Sequence, residues 1–258
     1  MGWKEDLTHP RSTIRRKATQ ELGGRTQTDP LVVPTLMKTL AGDHSPMVRA
    51  YAAHSLGKKK DSATISALLA ALHDEALPVR AKAINALVKI DPSRTTVAHP
   101  LQTLLQTDPA PTIRACVLAA LVPWYEPEKL DLILTALQDP SPLVYGLAAR
   151  KLIGYEDRQV IEPLLMLLHT RPHHQHVIRA LGYQKDPRIV SALLALLWTY
   201  PQKRKIQGAI FEALGNLGDS RALEPLLFFH SRQPTNRRIV GALATLKRSL
   251  AVTRSHEP

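Results

Sequence analysis

The chain has 258 residues, 44% of them hydrophobic, and its 34 Lys and Arg against 22 Asp and Glu leave a formal charge of +12. So basic a balance points to an acidic partner: an anionic protein, a nucleic acid or a membrane surface. One cysteine, Cys116, excludes a disulfide framework and any cysteine-based zinc site, and the longest apolar runs, such as 192–198, are too short to span a bilayer.

Read in chain order, the sequence repeats itself. A helix is expected over 12–22, ending in Leu22-Gly23, and the same ending returns at Leu56-Gly57, Leu87-Val88, Leu121-Val122, Leu152-Ile153, Leu181-Gly182 and Leu214-Gly215. The steps are 34, 31, 34, 31, 29 and 33 residues, and a less regular unit runs on to about Leu250. Eight units result, ending near 23, 57, 88, 122, 153, 182, 215 and 250. Each holds two helical patterns. The first is an amphipathic run such as Ile65-Ser-Ala-Leu-Leu-Ala-Ala-Leu72 or Ile161-Glu-Pro-Leu-Leu-Met-Leu-Leu168, apolar at i, i+3, i+4 and i+7. A turn rich in Asp and Pro follows: Asp43-His-Ser-Pro46, Asp108-Pro-Ala-Pro111, Asp139-Pro-Ser-Pro142. Proline suits the first turn of the next helix, and Ser45 and Ser141 are positioned as N-caps.

The second helices are expected at 12–22, 46–56, 78–89, 111–121, 142–152, 173–181, 203–214 and 236–248, each burying residues like Val48, Ala52 and Leu56 and stopping at the glycine. Helical pairs that pack on their neighbours build an all-α superhelix, one solenoid over residues 1–258 with no sheet and no second domain. Trp3 and the segment 235–250 are the expected caps at its ends. The opening Met-Gly-Trp-Lys-Glu-Asp is polar, without a signal-peptide core, so a cytoplasmic location is expected.

The motif Asp-x5-Arg followed seven residues later by Leu-Gly resembles the HEAT-like repeat of the phycobilin (phycocyanobilin) lyase-type family. Asp43 and Arg49, Asp74 and Arg80, and Asp108 and Arg114 keep the spacing, whereas Asp139 is followed by Tyr145. The resemblance covers nearly the whole chain. It implies that these aspartates and arginines tie adjacent repeats together and that the second helices line the concave surface. It also implies a bilin lyase or lyase-like chaperone as one reading, with arginines and lysines holding a bilin's propionates.

The charge is divided unevenly between the layers. The second helices contain 18 Lys or Arg and two acids, Glu21 and Glu212, whereas the remainder holds 16 basic and 20 acidic residues. Within a second helix, the positions two and five after the arginine point away from the buried stripe. The first row reads Lys17, Tyr51, Lys82, Cys116, Leu147, His176, and the second Gln20, His54, Asn85, Ala119, Arg150, Arg179, Glu212. Lys17, Tyr51, His54, Lys82, Asn85, Arg150, His176 and Arg179 are therefore the expected partner-binding residues. Tyr51 and His54 equally suit filling gaps between units.

No zinc, P-loop, dinucleotide or nucleophile-elbow pattern occurs, and no cofactor is expected. Cys116 on a second helix reads as a small core residue. The segment His169-Thr-Arg-Pro-His-His-Gln-His176 makes His173, His174 and His176 weak metal candidates, but Arg171-Pro172 breaks any helix that would align them. The expected function is a non-catalytic binding scaffold whose basic groove takes an acidic protein. A bilin lyase or chaperone, the only enzymatic reading retained, and a nucleic-acid binder of the DNA-repair type are the alternatives.

Overall fold

The computed structural model describes residues 3–25, 29–91, 96–121, 129–171, 175–199 and 203–254. These residues form sixteen α-helices and three short 3-10 turns, without a strand among them. The chain divides into two compact units, Met1–Lys129 and Leu130–Pro258.

In the first unit, α1 (Trp3–Leu7), α3 (Val32–Gly42), α5 (Ile65–Ala71) and α7 (Ala98–Thr107) are the first helices of four repeats. Their partners are α2 (Ser12–Gly24), α4 (Pro46–Lys59), α6 (Leu77–Ile90) and α8 (Pro111–Leu121). The second unit repeats the plan, with first helices α9 (Lys129–Leu137), α11 (Ile161–Thr170), α13 (Pro187–Thr199) and α15 (Leu223–Arg232). Their partners are α10 (Pro142–Lys151), α12 (Gln175–Leu181), α14 (Arg204–Leu217) and α16 (Arg237–Arg254). An all-α array of HEAT-type helical pairs is thus the observed fold class.

Each core layer is built from the residues that the periodicity marks. Leu36, Leu40, Val48, Ala52, Leu56 and Leu68 are fully or nearly fully buried in the first unit, and Leu164, Val177, Leu181, Leu193, Ile210 and Leu214 in the second. Pro46 and Pro142 open their helices, where a missing N–H costs nothing. Ser141 caps α10 by accepting the amide of Leu143, but Ser45 caps nothing through its hydroxyl. The carboxylate of Asp43 accepts the Ser45 amide instead, so the turn is closed by the aspartate.

At Leu56-Gly57 and Leu214-Gly215 the glycine does not end the helix, whereas α12 stops at Leu181, just before Gly182. Helix α4 runs through Gly57 to Lys59 and stops where Lys60 turns left-handed at φ 54°, and α14 runs through Gly215 to Leu217 and stops at Gly218, φ 70°. The glycine serves a close approach. A Cβ on Gly57 would stand 2.8 Å from the Cα of Ala86, one on Gly182 2.6 Å from that of Ala213, and one on Gly215 2.9 Å from that of Ala242. Successive second helices touch backbone to backbone there.

Candidate functional site

The turns between helices account for most of the aspartates. Asp43, Asp74, Asp108 and Asp139, between the two helices of a repeat, each accept the amide two residues on, at 2.8–2.9 Å. Asp29, Asp61, Asp157, Asp186 and Asp219, between repeats, do the same at 2.8–3.0 Å. Asp91 accepts the amide of Thr96 at 3.3 Å. Nine of the twelve aspartates of the chain therefore close an Asx-turn with the short carboxylate, and Asp91 spans a longer turn. The lack of acids on second helices follows in part from this.

The intra-repeat aspartates also form a ladder. Arg15 reaches the carboxylate of Asp43 through Nε and Nη2 at 2.8 and 2.9 Å, Arg49 that of Asp74 at 2.8 and 2.8 Å, and Arg80 that of Asp108 at 2.8 and 3.1 Å. Each arginine thus binds the aspartate of the following repeat. Its own repeat receives only the Nη1 donor: Arg49 to the Asp43 carbonyl, Arg80 to that of Asp74 and Arg114 to that of Asp108. Arg15 belongs to this series although His9, not an aspartate, stands six residues before it, and Nη1 donates to the carbonyls of His9 and Pro10. Burial opposes ionisation of Asp43 and Asp74, but the bonds from Arg15 and Arg49 and from the turn amides outweigh it and hold both carboxyls below their ordinary value.

In the second unit the polarity is inverted. Tyr145 occupies the arginine position, and the guanidinium of Arg171, from the turn after α11, lies 4.3 Å from its ring centroid while Nη1 donates to the Asp139 carbonyl at 2.9 Å. Gln184, buried between later repeats, bridges the Asp157 amide and the Tyr155 carbonyl.

Of the eight residues expected to bind a partner, four are exposed and four half-buried. In the first unit Lys17, Lys82 and Asn85 are exposed, Tyr51 and His54 half-buried. Asn85 turns its amide back to the Ala81 carbonyl at 3.0 Å, and Arg16 lies 5.5 Å from the Tyr51 ring centroid. Lys58 and Lys89, not singled out by the two-row reading, stand on the same side, one turn beyond His54 and Asn85. Burial, then the charges of Lys58, Lys82 and Lys89, hold the His54 imidazole below its ordinary value. Burial pushes the half-buried Cys116 thiol up, with Lys82 opposing.

In the second unit Arg150 is exposed, but His176 and Arg179 are half-buried. Arg179 is not a free cation: its Nε donates to Glu212 at 3.1 Å. The two are 33 residues apart, a pairing across one repeat that spacing alone does not single out. Burial, then Arg179 and Arg150, lower the basicity of His176. His173 and His174 lie outside the described residues, as does Trp124. Among the described residues no group of three His, Cys, Asp or Glu is placed to hold a metal ion.

Other features went unforeseen because they join residues from separate first helices. One cleft of about 450 Å³ lies in the first unit beside Trp3, Lys4, Leu31 and Lys38, and one of about 550 Å³ in the second beside Gln138, Met166 and Arg171. Trp198, half exposed, packs 5.2 Å from the rings of both Phe228 and Phe229, and Arg232 lies 4.1 Å from the Phe228 centroid. No helix among the described residues is long and apolar enough to cross a membrane.

No curated protein sequence matches the chain. Among solved structures, the Escherichia coli protein YibA aligns with a TM-score of 0.68 at 22% identity, over 95% of this chain and 91% of that one. An engineered protein aligns at 0.54 and 18% identity, over 96% and 77% of the two chains. The CpcE and CpcF complex of phycocyanin lyase from Nostoc aligns at 0.46 and 17% identity, over 96% and 95%. A model of HEAT repeats matches residues 2–88, 33–122 and 171–246, and the chain therefore belongs to the HEAT-repeat family.

Proposed function

We propose that the chain is a non-catalytic binding scaffold that takes an acidic protein on the exposed side of its second helices. The observation that carries this reading is the run of exposed Lys and Arg on those helices: Arg16, Lys17, Lys58, Lys82 and Lys89 in the first unit, Arg150, Arg204, Arg237 and Arg248 in the second. The two acids on these helices are each met by a base, Glu21 by Lys17 at 4.0 Å and Glu212 by Arg179 at 3.1 Å. Turn chemistry explains where the acids went, but gives no account of why the bases stay exposed. A field of one sign concentrates a polyanion and speeds its association.

The test is charge reversal at residues without structural partners. Lys58, Lys82, Lys89 and Arg150 changed to Glu should remove binding of an acidic protein fraction while leaving the helical signal and melting temperature in place. Arg179 is left out, since a glutamate there would face Glu212. A duplex oligonucleotide serves as the control. Phosphate contacts release condensed counterions, so a slope of log K against log salt steeper than about −5 would replace the protein partner by nucleic acid.

We also propose that residues 1–258 are one run of repeats that unfolds as a unit, because the leucine register keeps a 31-residue step from Leu121 to Leu152. A single calorimetric transition is expected, and two resolved transitions would refute it.

A further inference from the structure

Aligned on the leucines of the repeat, the exposed side of α4 and α6 forms a grid. Tyr51 stands beside Lys82, His54 beside Asn85, and Lys58 beside Lys89. Successive rows on one helix are separated by about 5–6 Å and packed helix axes by about 8–10 Å, so the grid spans more than a single carboxylate can reach. The contact of Gly57 with Ala86 draws these two helices together directly behind it. On the other flank, α2 presents Lys17, Gln20 and Gly24 in the corresponding rows, with Glu21 one residue aside and drawn to Lys17. Helix α3, which also packs on α4, carries one charged residue, Lys38, and that lines the cleft beside Trp3. The charges that act on His54 are all positive.

We propose that His54, Lys58, Lys82 and Lys89 form a binding subsite for two or more carboxylates of an acidic protein segment, with His54 taking a proton from solvent as the carboxylates dock. The inference rests on the reading of this side as a protein-binding surface and names its chemistry. The cluster contains ammonium groups on flexible stems and no guanidinium fork. It therefore imposes no plane on the anion and suits carboxylates at the varied spacing of an acidic segment. In the free protein its half-buried position, and then the three ammonium groups, disfavour the imidazolium. Docked carboxylates cancel the repulsion and accept its N–H, so binding and protonation assist each other.

The probe is fluorescein-labelled poly-L-glutamate, titrated at low salt into the full chain and into His54→Gln at pH 8 and pH 6. The wild-type chain is expected to bind several-fold more tightly at pH 6, about tenfold being the ceiling that a one-unit rise in the basicity of one group sets. His54→Gln is expected to bind with most of that dependence gone, and Lys58→Gln with Lys82→Gln and Lys89→Gln to bind weakly at both pH values. In the NMR titration, the His54 ring protons should report a midpoint that rises when the peptide is present. If His54→Gln keeps the wild-type pH dependence, or the His54 midpoint is unmoved by bound peptide, the subsite proposal fails while the binding surface stands. If poly-L-glutamate binds at neither pH, both readings fail.

Discussion

Arg80 and Asp108 are held together by two near-parallel hydrogen bonds in a site where both side chains are almost wholly removed from solvent. The same arginine donates to the carbonyls of Asp74 and Glu75, and the same aspartate accepts the amide of Ala110. One ion pair therefore fixes the turns of two consecutive repeats. Arg80→Met strands a buried carboxylate, and the expected loss is about 3–5 kcal/mol, read as a fall in the urea midpoint. Adding Asp108→Asn to that variant removes the charge but keeps an acceptor for Ala110, and should recover part of the loss. Equal destabilisation of the single and double variants would show that the stranded charge is not the cause.

Asp43 and Asp74 make the stability of the first unit depend on acid. Their carboxyls lie below the ordinary value in the folded state, so folding favours the ionised form. The stabilisation is complete above the unfolded-state pKa of about 3.9 and is lost as pH falls through the lower folded values. Urea midpoints taken from pH 7 downward should stay level to about pH 4 and then drop. The variant Asp74→Asn should begin lower and drop less. A parallel decline in both proteins would exclude Asp74 as a source.

Two glycines in second helices should respond oppositely to the same change. Gly57→Ala forces a Cβ to 2.8 Å from the backbone of Ala86, and the helices must part. A loss of about 1–3 kcal/mol is expected, the usual cost of overpacking. Gly241, inside α16, has nothing within 4 Å of such a Cβ, and Gly241→Ala should raise stability by about 0.5–1 kcal/mol. Thermal melts of the two variants decide it. Tolerance of Gly57→Ala would mean that the approach of α4 and α6 is not set by the glycine.

Arg171 tests the inverted pairing in the second unit. Arg171→Ala removes both the cation over the Tyr145 ring and the bond to the Asp139 carbonyl. The expected cost is about 1–2 kcal/mol, and Arg171→Lys should recover little of it, because a point charge does not stack as a planar guanidinium does. Full rescue by lysine would reduce the contact to simple charge.

The helical pairs are legible because a leucine every 29 to 34 residues and a proline-marked turn leave few other ways to bury the apolar stripes. The register also names outward positions, of which Lys82 and Arg150 are exposed and His54 half-buried. What spacing does not carry is which neighbour a side chain meets. Arg49 and Asp43 share a motif, yet the carboxylate that Arg49 binds is that of Asp74, because the arginine projects across to the following repeat. Arg15 has no aspartate six residues before it and is missed by a motif search, though it does the same work. The Leu-Gly glycine reads as a helix stop when only local rules are applied, and its real partner, Ala86 for Gly57, lies 29 residues away. The cluster of Trp198, Phe228 and Phe229 is invisible for a related reason, since two helices separated by a whole repeat half must meet before it exists.

The ten turn aspartates have one more consequence. Because the chain's folding instructions are written in short carboxylates at bends and in apolar residues at contacts, the outward positions of the second helices carry almost no instruction of that kind. Two or three side chains per repeat can be exchanged there at little cost to the scaffold. Surface chemistry is thereby separable from architecture, so a lineage, or an engineer, can rewrite these outward positions repeat by repeat while the frame that displays them goes on folding.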